Sequence, residues 1–351
     1  MDQYLSVKLK AISFFLIIMV IFLHAHNLNT GNLADHKGYS WCIQTFISGG
    51  LALVSVPLFF LISGYLFFLN LKGTAAEFKL KIKKRFNTLL IPYIFWSLWG
   101  MLIFIILQSL PQSKPFFNNS PILHFSALQF LNTLLLDPLP YQLWFIRDLM
   151  MLVVVSPALY FILKKLNYFA VIICIVPWIY DFTFHLFNSQ SLLFFMLGGY
   201  IALWKKEIAE IRLSAKYLWM ILFWVAMAAI KTILLLIDYP SFFIINQVHK
   251  LCIIAGVFSV WKLYDTLVAE KDITDWKIYP IFSYTFFMYA FQEPMLTILK
   301  KGLLFAIGKS EAATLSIYFI TILTTIGISL VVAASISKIM PRFYALITGG
   351  R

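Results

Sequence analysis

The residues of this chain whose chemistry is hardest to explain as ordinary polarity are histidines and charges set among long apolar runs. His24 and His26 close the stretch KLKAISFFLIIMVIFLHAHN, residues 8–27, which is apolar but for Ser13 from Ala11 to Leu23. A continuous helix rises about 1.5 Å per residue, so the fourteen steps from Lys10 to His24 set an imidazole about 21 Å from that ammonium, at or beyond the midplane of a bilayer. Water-poor surroundings favour the uncharged imidazole, the form that can take a proton from a hydroxyl. Ionisable groups at such depth mark functional sites, although an interior histidine that only packs and hydrogen-bonds is the commoner case. His26, two residues on, falls on a different helical face.

Further groups have chemical potential. The largest internal connection, residues 71–86, is expected to be a basic loop with six cations between Lys72 and Arg85, including those of KLKIKKRF; they suit the phosphates of a nucleotide-type cofactor, with Arg85 able to grip bidentately, or equally the anionic leaflet of a membrane. In VPLFFLISGYL, residues 56–66, Pro57 frees backbone groups and Ser63-Gly64 permits close helix approach, while Leu61 and Ile62 exclude a GxSxG elbow. In YQLWFIRDL, residues 141–149, Arg147 and Asp148 point about 100° apart on a helix and are expected not to pair simply with each other; they could orient an acceptor or a catalytic group, with Trp144 as an interfacial anchor. Asp181 and His185 share a face at a spacing of four, as a base with its orienting carboxylate or as a solvated helix end. Glu293, beside Pro294 in an apolar run, is expected to face a cavity or a partner cation.

The elements that must position these groups are membrane helices. The 351 residues are 61% hydrophobic and 12% charged, against roughly 45–50% and 25% in a soluble domain, which excludes a soluble fold. Apolar spans fall at about 10–28, 46–70, 87–109, 145–164, 168–185, 190–205, 215–237, 247–267, 279–300 and 313–339, the fifth and sixth short for a crossing. A further segment, 125–136, is short enough to be interfacial or re-entrant. The expectation is an all-α polytopic bundle of about ten transmembrane helices forming one domain, 1–351. With a cytoplasmic N-terminus, all but eight of the 28 Lys and Arg fall on the cytoplasmic side, the exceptions being Lys37, Lys114, Arg147, Lys231, Lys250, Lys300, Lys301 and Lys309. That asymmetry puts both termini in the cytoplasm and His24 toward the outside, beneath external loops 28–45 and 110–143. The net charge of +13 is scattered between spans, so its partner is the lipid bilayer and no nucleic acid is expected. Cys42, Cys174 and Cys252 are too widely spaced to suggest a disulfide framework or a metal site, and the first span reads as retained, with no small-x-small cleavage signal behind it.

The order of segments resembles the acyltransferase-3 family of integral-membrane O-acyltransferases, which acylate cell-envelope glycans and related acceptors. The matching segments are Lys10 with the helix ending in His24, VPLFFLISGYLF from Val56, KRFNTLLIPYIFW from Lys84, LWFIRDL from Leu143, LVVVSPAL from Leu152, FFMLGGYIAL from Phe194 and SYTFFMYAFQEPML from Ser283. Two positions depart from the pattern. The basic residue the family carries eleven places before the histidine is replaced by Ser13, with Lys10 fourteen places before, and Gln292 stands where the family has a second histidine.

The resemblance implies transfer of an acyl group, usually acetyl, from cytoplasmic acetyl-CoA to an envelope glycan or polysaccharide hydroxyl, in a bacterial inner membrane. His24, not His26, aligns as the base, taking the hydroxyl proton or relaying the acyl group. Lys10, Ser63, Lys83, Lys84 and Arg85 are assigned to coenzyme A. Topology, without a motif, adds Arg147 and Asp148 at the acceptor entry. Homo-oligomerisation stays open. A rival of another class is a transporter or flippase for a glycan or lipid-linked intermediate; a structural subunit of an assembly complex would leave His24 and Arg85 without purpose.

Overall fold

The computed structural model describes residues 3–28, 37–111, 117, 121–184, 187–205, 207, 219–268 and 273–350. In a hydrocarbon surround the backbone must satisfy its own polar groups, and the apolar runs do so as helices. In chain order these are α1 (Gln3–Ala25), α2 (Tyr39–Ser48), α3 (Ser55–Phe68), α4 (Ala75–Ser109), α5 (Ala127–Leu135), α6 (Trp144–Leu166), α7 (Tyr168–Ile179), α8 (Ser189–Trp204), α9 (Trp219–Leu236), α10 (Phe242–Val268), α11 (Thr285–Ile307), α12 (Glu311–Ile339) and α13 (Pro341–Thr348). No strand is formed among the described residues, and the protein is an all-α bundle.

Among the described residues, seven segments are long and apolar enough to cross a membrane: α1, the α2–α3 unit, α4, α6, α9, α10 and α12. As the span lengths require, α7 and α8 are shorter, at 12 and 16 residues. The 23 residues of α11 carry Glu293, Lys300 and Lys301, and its helical path breaks at Glu293, where φ is −110° and ψ 139° ahead of Pro294. The short segment at 125–136 becomes α5, which hangs on α4: Tyr93 and Ser97 donate to the carbonyls of Leu135 and Leu134.

One expectation needs correction. The basic stretch before residue 87 is not a connecting loop; from Ala75 on it is the first part of α4. Thr74 caps the helix through the Glu77 amide at 3.3 Å while the Glu77 carboxylate accepts from the Thr74 amide at 3.3 Å, a reciprocal box that starts the helix twelve residues early.

Most of the cations outside the cytoplasmic count have a shared use. The last carbonyls of a helix lack intrahelical partners, and far from water each needs a donor. Lys300 bonds the carbonyls of His24 and His26 at 3.2 and 2.9 Å, at the C-terminal end of α1. Lys231 bonds Gly49 after α2, Lys250 bonds Ile179 in α7, Lys37 bonds Leu235 in α9, and Arg147 bonds Leu136 after α5. Five of the eight exceptions thus cap helix C-termini, where positive charge also suits the helix dipole.

The bundle closes most tightly where α3 crosses α8. A methyl group built on Gly64 would lie 2.1 Å from the Phe195 carbonyl oxygen, and one on Gly198 2.0 Å from that of Leu61. Small residues let the two backbones touch. Gly198→Ala is expected to cost about 1–3 kcal/mol through overpacking, read as a lower unfolding temperature of the detergent-solubilised protein, whereas Gly302→Ala, inside α11 with open space around it, does not lower that temperature, alanine being the better helix former.

Candidate active site

Along α1, Ser6, Leu9, Lys10, Ser13, Ile17, Val20 and His24 recur at intervals of three and four, and this one face lines a cavity of about 490 Å³. The opposite walls are α3 (Val56, Phe59, Ile62, Ser63, Leu66), α4 (Arg85, Leu89), the start of α6 with the turn before it (Gln142, Trp144, Phe145, Ile146, Leu149), and the start of α11 with the turn before it (Phe282, Ser283, Thr285, Phe286, Tyr289). His24, Lys10, Ser63 and Arg85 therefore meet at one cavity. Lys10 and His24 stand about 21 Å apart along the helix, with an apolar middle between them. The replacement of the expected base by Ser13 moves the cation one turn along the same face, so Lys10 and Ser13 both border the cavity.

Lys83 and Lys84 are not brought to it. Because this stretch is helical, consecutive residues point about 100° apart, and with Arg85 facing the cavity the two lysines are exposed on α4. Lys8 is likewise turned away: it is fully buried, bonded to Asp265 at 2.6 Å and seated 4.1 Å from the Trp261 ring.

Arg147 and Asp148 do pair, against the expectation from helical geometry. The long guanidinium folds back so that Nε and Nη2 reach Asp148 Oδ1 at 3.3 and 3.1 Å; divergent Cα–Cβ bonds do not limit a side chain of that reach. The buried Asp148 also accepts from Ser191 Oγ at 3.2 Å and the Asn188 amide at 3.3 Å, tying α6 to the start of α8. Neither residue lines the cavity of His24. Trp144, expected as an anchor, does line it. Asp181 accepts from Lys250 at 3.0 Å, while His185 lies outside the described residues.

Of the surroundings of His24 the sequence singled out Glu293, expected to face a cavity or a partner cation; the structure instead gives it two hydroxyl donors and keeps it off the cavity wall. The Tyr141 ring meets the imidazole edge-on, centroids 4.8 Å apart. The Tyr141 hydroxyl donates to Glu293 Oε1 at 2.8 Å, and Thr297 donates to the same oxygen at 3.1 Å. Glu293, 2% exposed, is thus the brace behind the ring against His24. Tyr289 donates to the Gln142 carbonyl and Gln142 Nε2 to that of Ala290, so the turn Tyr141–Leu143 is stitched to the break in α11. With Lys300 holding its carbonyl, His24 is fixed from both the backbone and the ring side. The 3.6-residue recurrence of polar residues on α1 is the one sequence signal that could have shown this wall.

Apolar helices around a cavity that Lys10, Arg85 and His24 line define a multi-pass membrane protein with polar groups gathered inside its bundle. The profile of the Acyl_transf_3 family, described as an acyltransferase domain, matches residues 8–334, and the chain belongs to that family: it is a membrane acyltransferase. It is similar to the succinoglycan biosynthesis protein ExoH of Rhizobium meliloti (strain 1021), 23% identical over 283 residues, a match that covers 77% of this chain and 74% of that protein. No solved structure matches.

Proposed function

We propose that this protein is an O-acyltransferase of the bacterial cytoplasmic membrane that moves an acyl group, acetyl foremost, from cytoplasmic acyl-CoA to a hydroxyl of an envelope polysaccharide or other glycan. The supporting observation is the shared cavity of Lys10, Arg85 and His24. Its cationic end suits the phosphates of the donor, its apolar middle the uncharged arm that carries the thioester, and its far end presents the base. The glycan acceptor is preferred because the similar protein is named for succinoglycan biosynthesis.

In the reaction so read, His24 takes the proton of the acceptor hydroxyl as that oxygen attacks the thioester carbonyl. The C–S bond breaks, and the imidazolium returns the proton to the leaving thiolate, giving an ester and a free thiol. Ser63 lies along the donor arm. Arg147 and Asp148 hold the α6–α8 wall, and Tyr141 with Glu293 holds the imidazole. Both termini face the cytoplasm.

Purified protein given labelled acetyl-CoA should bind it and transfer label to envelope oligosaccharide. Replacing Arg85 by Ala should raise KM for acetyl-CoA about tenfold with kcat little changed, the effect of losing one charge-assisted phosphate contact. Absence of acyl-CoA binding by the wild type would move the reading to export of a glycan intermediate.

A further inference from the structure

Gln142 lines the cavity in the turn Tyr141–Leu143, whose first residue carries the ring against His24. It is 1% exposed, and its Nε2 donates to the Ala290 carbonyl at 3.2 Å. Only the NH2 end of an amide can pair with a carbonyl, so the other end is the oxygen, an acceptor without donor capacity. That Oε1 has no partner among the described residues. The side chain has little freedom to turn away, because the Tyr289 hydroxyl holds its backbone carbonyl and Tyr141 is anchored on Glu293. Buried acceptors are nearly always satisfied, and one left unmet and sealed beside a cavity is a place for a ligand's donor once the wall opens onto it.

We propose that Gln142 Oε1 is a second recognition group beside the base, accepting a hydrogen bond from an uncharged N–H or O–H of the substrate. The inference rests on the acyl-transfer reading. The donor has two sources: the amide N–H of the acyl-CoA arm nearest the thioester, or an acceptor hydroxyl next to the one attacked.

The test uses the full chain in nanodiscs and two probes, acetyl-CoA and its analogue in which that amide nitrogen is replaced by oxygen, which keeps the length of the arm and removes the donor. If the arm is the source, the wild type binds the analogue about tenfold more weakly than acetyl-CoA, and Gln142→Met binds the two alike. If the acceptor is the source, the wild type binds both probes equally. Gln142→Met then keeps acetyl-CoA affinity and slow thioester hydrolysis by water, and passes label to endogenous glycan in membrane vesicles about tenfold more slowly. The analogue comparison needs no variant, and retained acetyl-CoA affinity is the check on the variant's fold. Equal binding of the probes by the wild type, together with a Gln142→Met protein that binds acetyl-CoA and transfers at the wild-type rate, overturns the proposal. A wild type that binds neither probe defeats the acyl-transfer reading itself, before Gln142 is tested.

Discussion

His24→Ala is expected to lower acyl transfer by about 10²–10⁴-fold, the range for loss of a positioned general base, while acetyl-CoA affinity stays near that of the wild type. The two effects separate because the groups do. Lys10 lies about 21 Å of helix from His24, Arg85 reaches the cavity from α4, and both are untouched by the substitution. The fold should also survive, since Lys300 caps α1 through the backbone carbonyls of His24 and His26, which alanine retains. His26 supplies the internal control. The helix ends at Ala25, and His26 does not line the cavity, so His26→Ala should keep most of the activity. Single-turnover transfer of label from acetyl-CoA, with affinity measured separately, checks both; equal loss in the two variants would argue against His24 as the base.

The second large effect is on stability. Lys8→Met should destabilise the protein by about 3–5 kcal/mol, because it strips the ammonium from a buried carboxylate. Lys8 Nζ lies 2.6 Å from Asp265 Oδ1, and their side chains are 0% and 2% exposed. Asp265 keeps the Tyr4 hydroxyl at 2.6 Å, but a neutral donor offsets only part of the desolvation of a charge. Adding Asp265→Leu should return the variant to within about 1 kcal/mol of the wild type, since a buried ion pair can be exchanged for apolar packing at little net cost. A double-mutant cycle of unfolding free energies reads the coupling. Losses that simply add would mean the pair contributes nothing as a pair. This contact also separates the two lysines that open α1: Lys8 fastens α1 to α10, and Lys10 alone of the two faces the cavity.

The bundle was legible because membrane helices announce themselves by length and composition, and even the shortness of α7 and α8 could be read. On α1 the two ends of the cavity wall, Lys10 and His24, were legible from their spacing, whereas the recurrence of Ser6 and Ser13 on the same face emerges only with the lining. Other parts of the site depend on contacts that local pattern does not encode. Tyr141 and Glu293 are 152 residues apart and meet only because a short turn before α6 packs into the break of α11. The pairing of Arg147 with Asp148 follows from side-chain reach, which backbone direction does not reveal. The scattered cations looked like exceptions to an orientation rule; Lys37, Arg147, Lys231, Lys250 and Lys300 are helix caps, each defined by the end of another helix, 71 to 274 residues away for all but Arg147. The basic stretch was taken for a loop because its charges outweighed the capping box that makes it helical, and that difference decides which of Lys83, Lys84 and Arg85 reaches the cavity.

The central claim is that one chamber receives the donor at its cationic end and delivers the acyl group at its imidazole end. Inverted inner-membrane vesicles expose the cytoplasmic face to added labelled acetyl-CoA, which cannot cross the bilayer. The account predicts that label appears as ester on glycan inside the sealed vesicles, dependent on His24 and slowed by Arg85→Ala at subsaturating acetyl-CoA. Label confined to acceptors on the outside of the vesicles, or lumenal ester formed equally by His24→Ala, would contradict it.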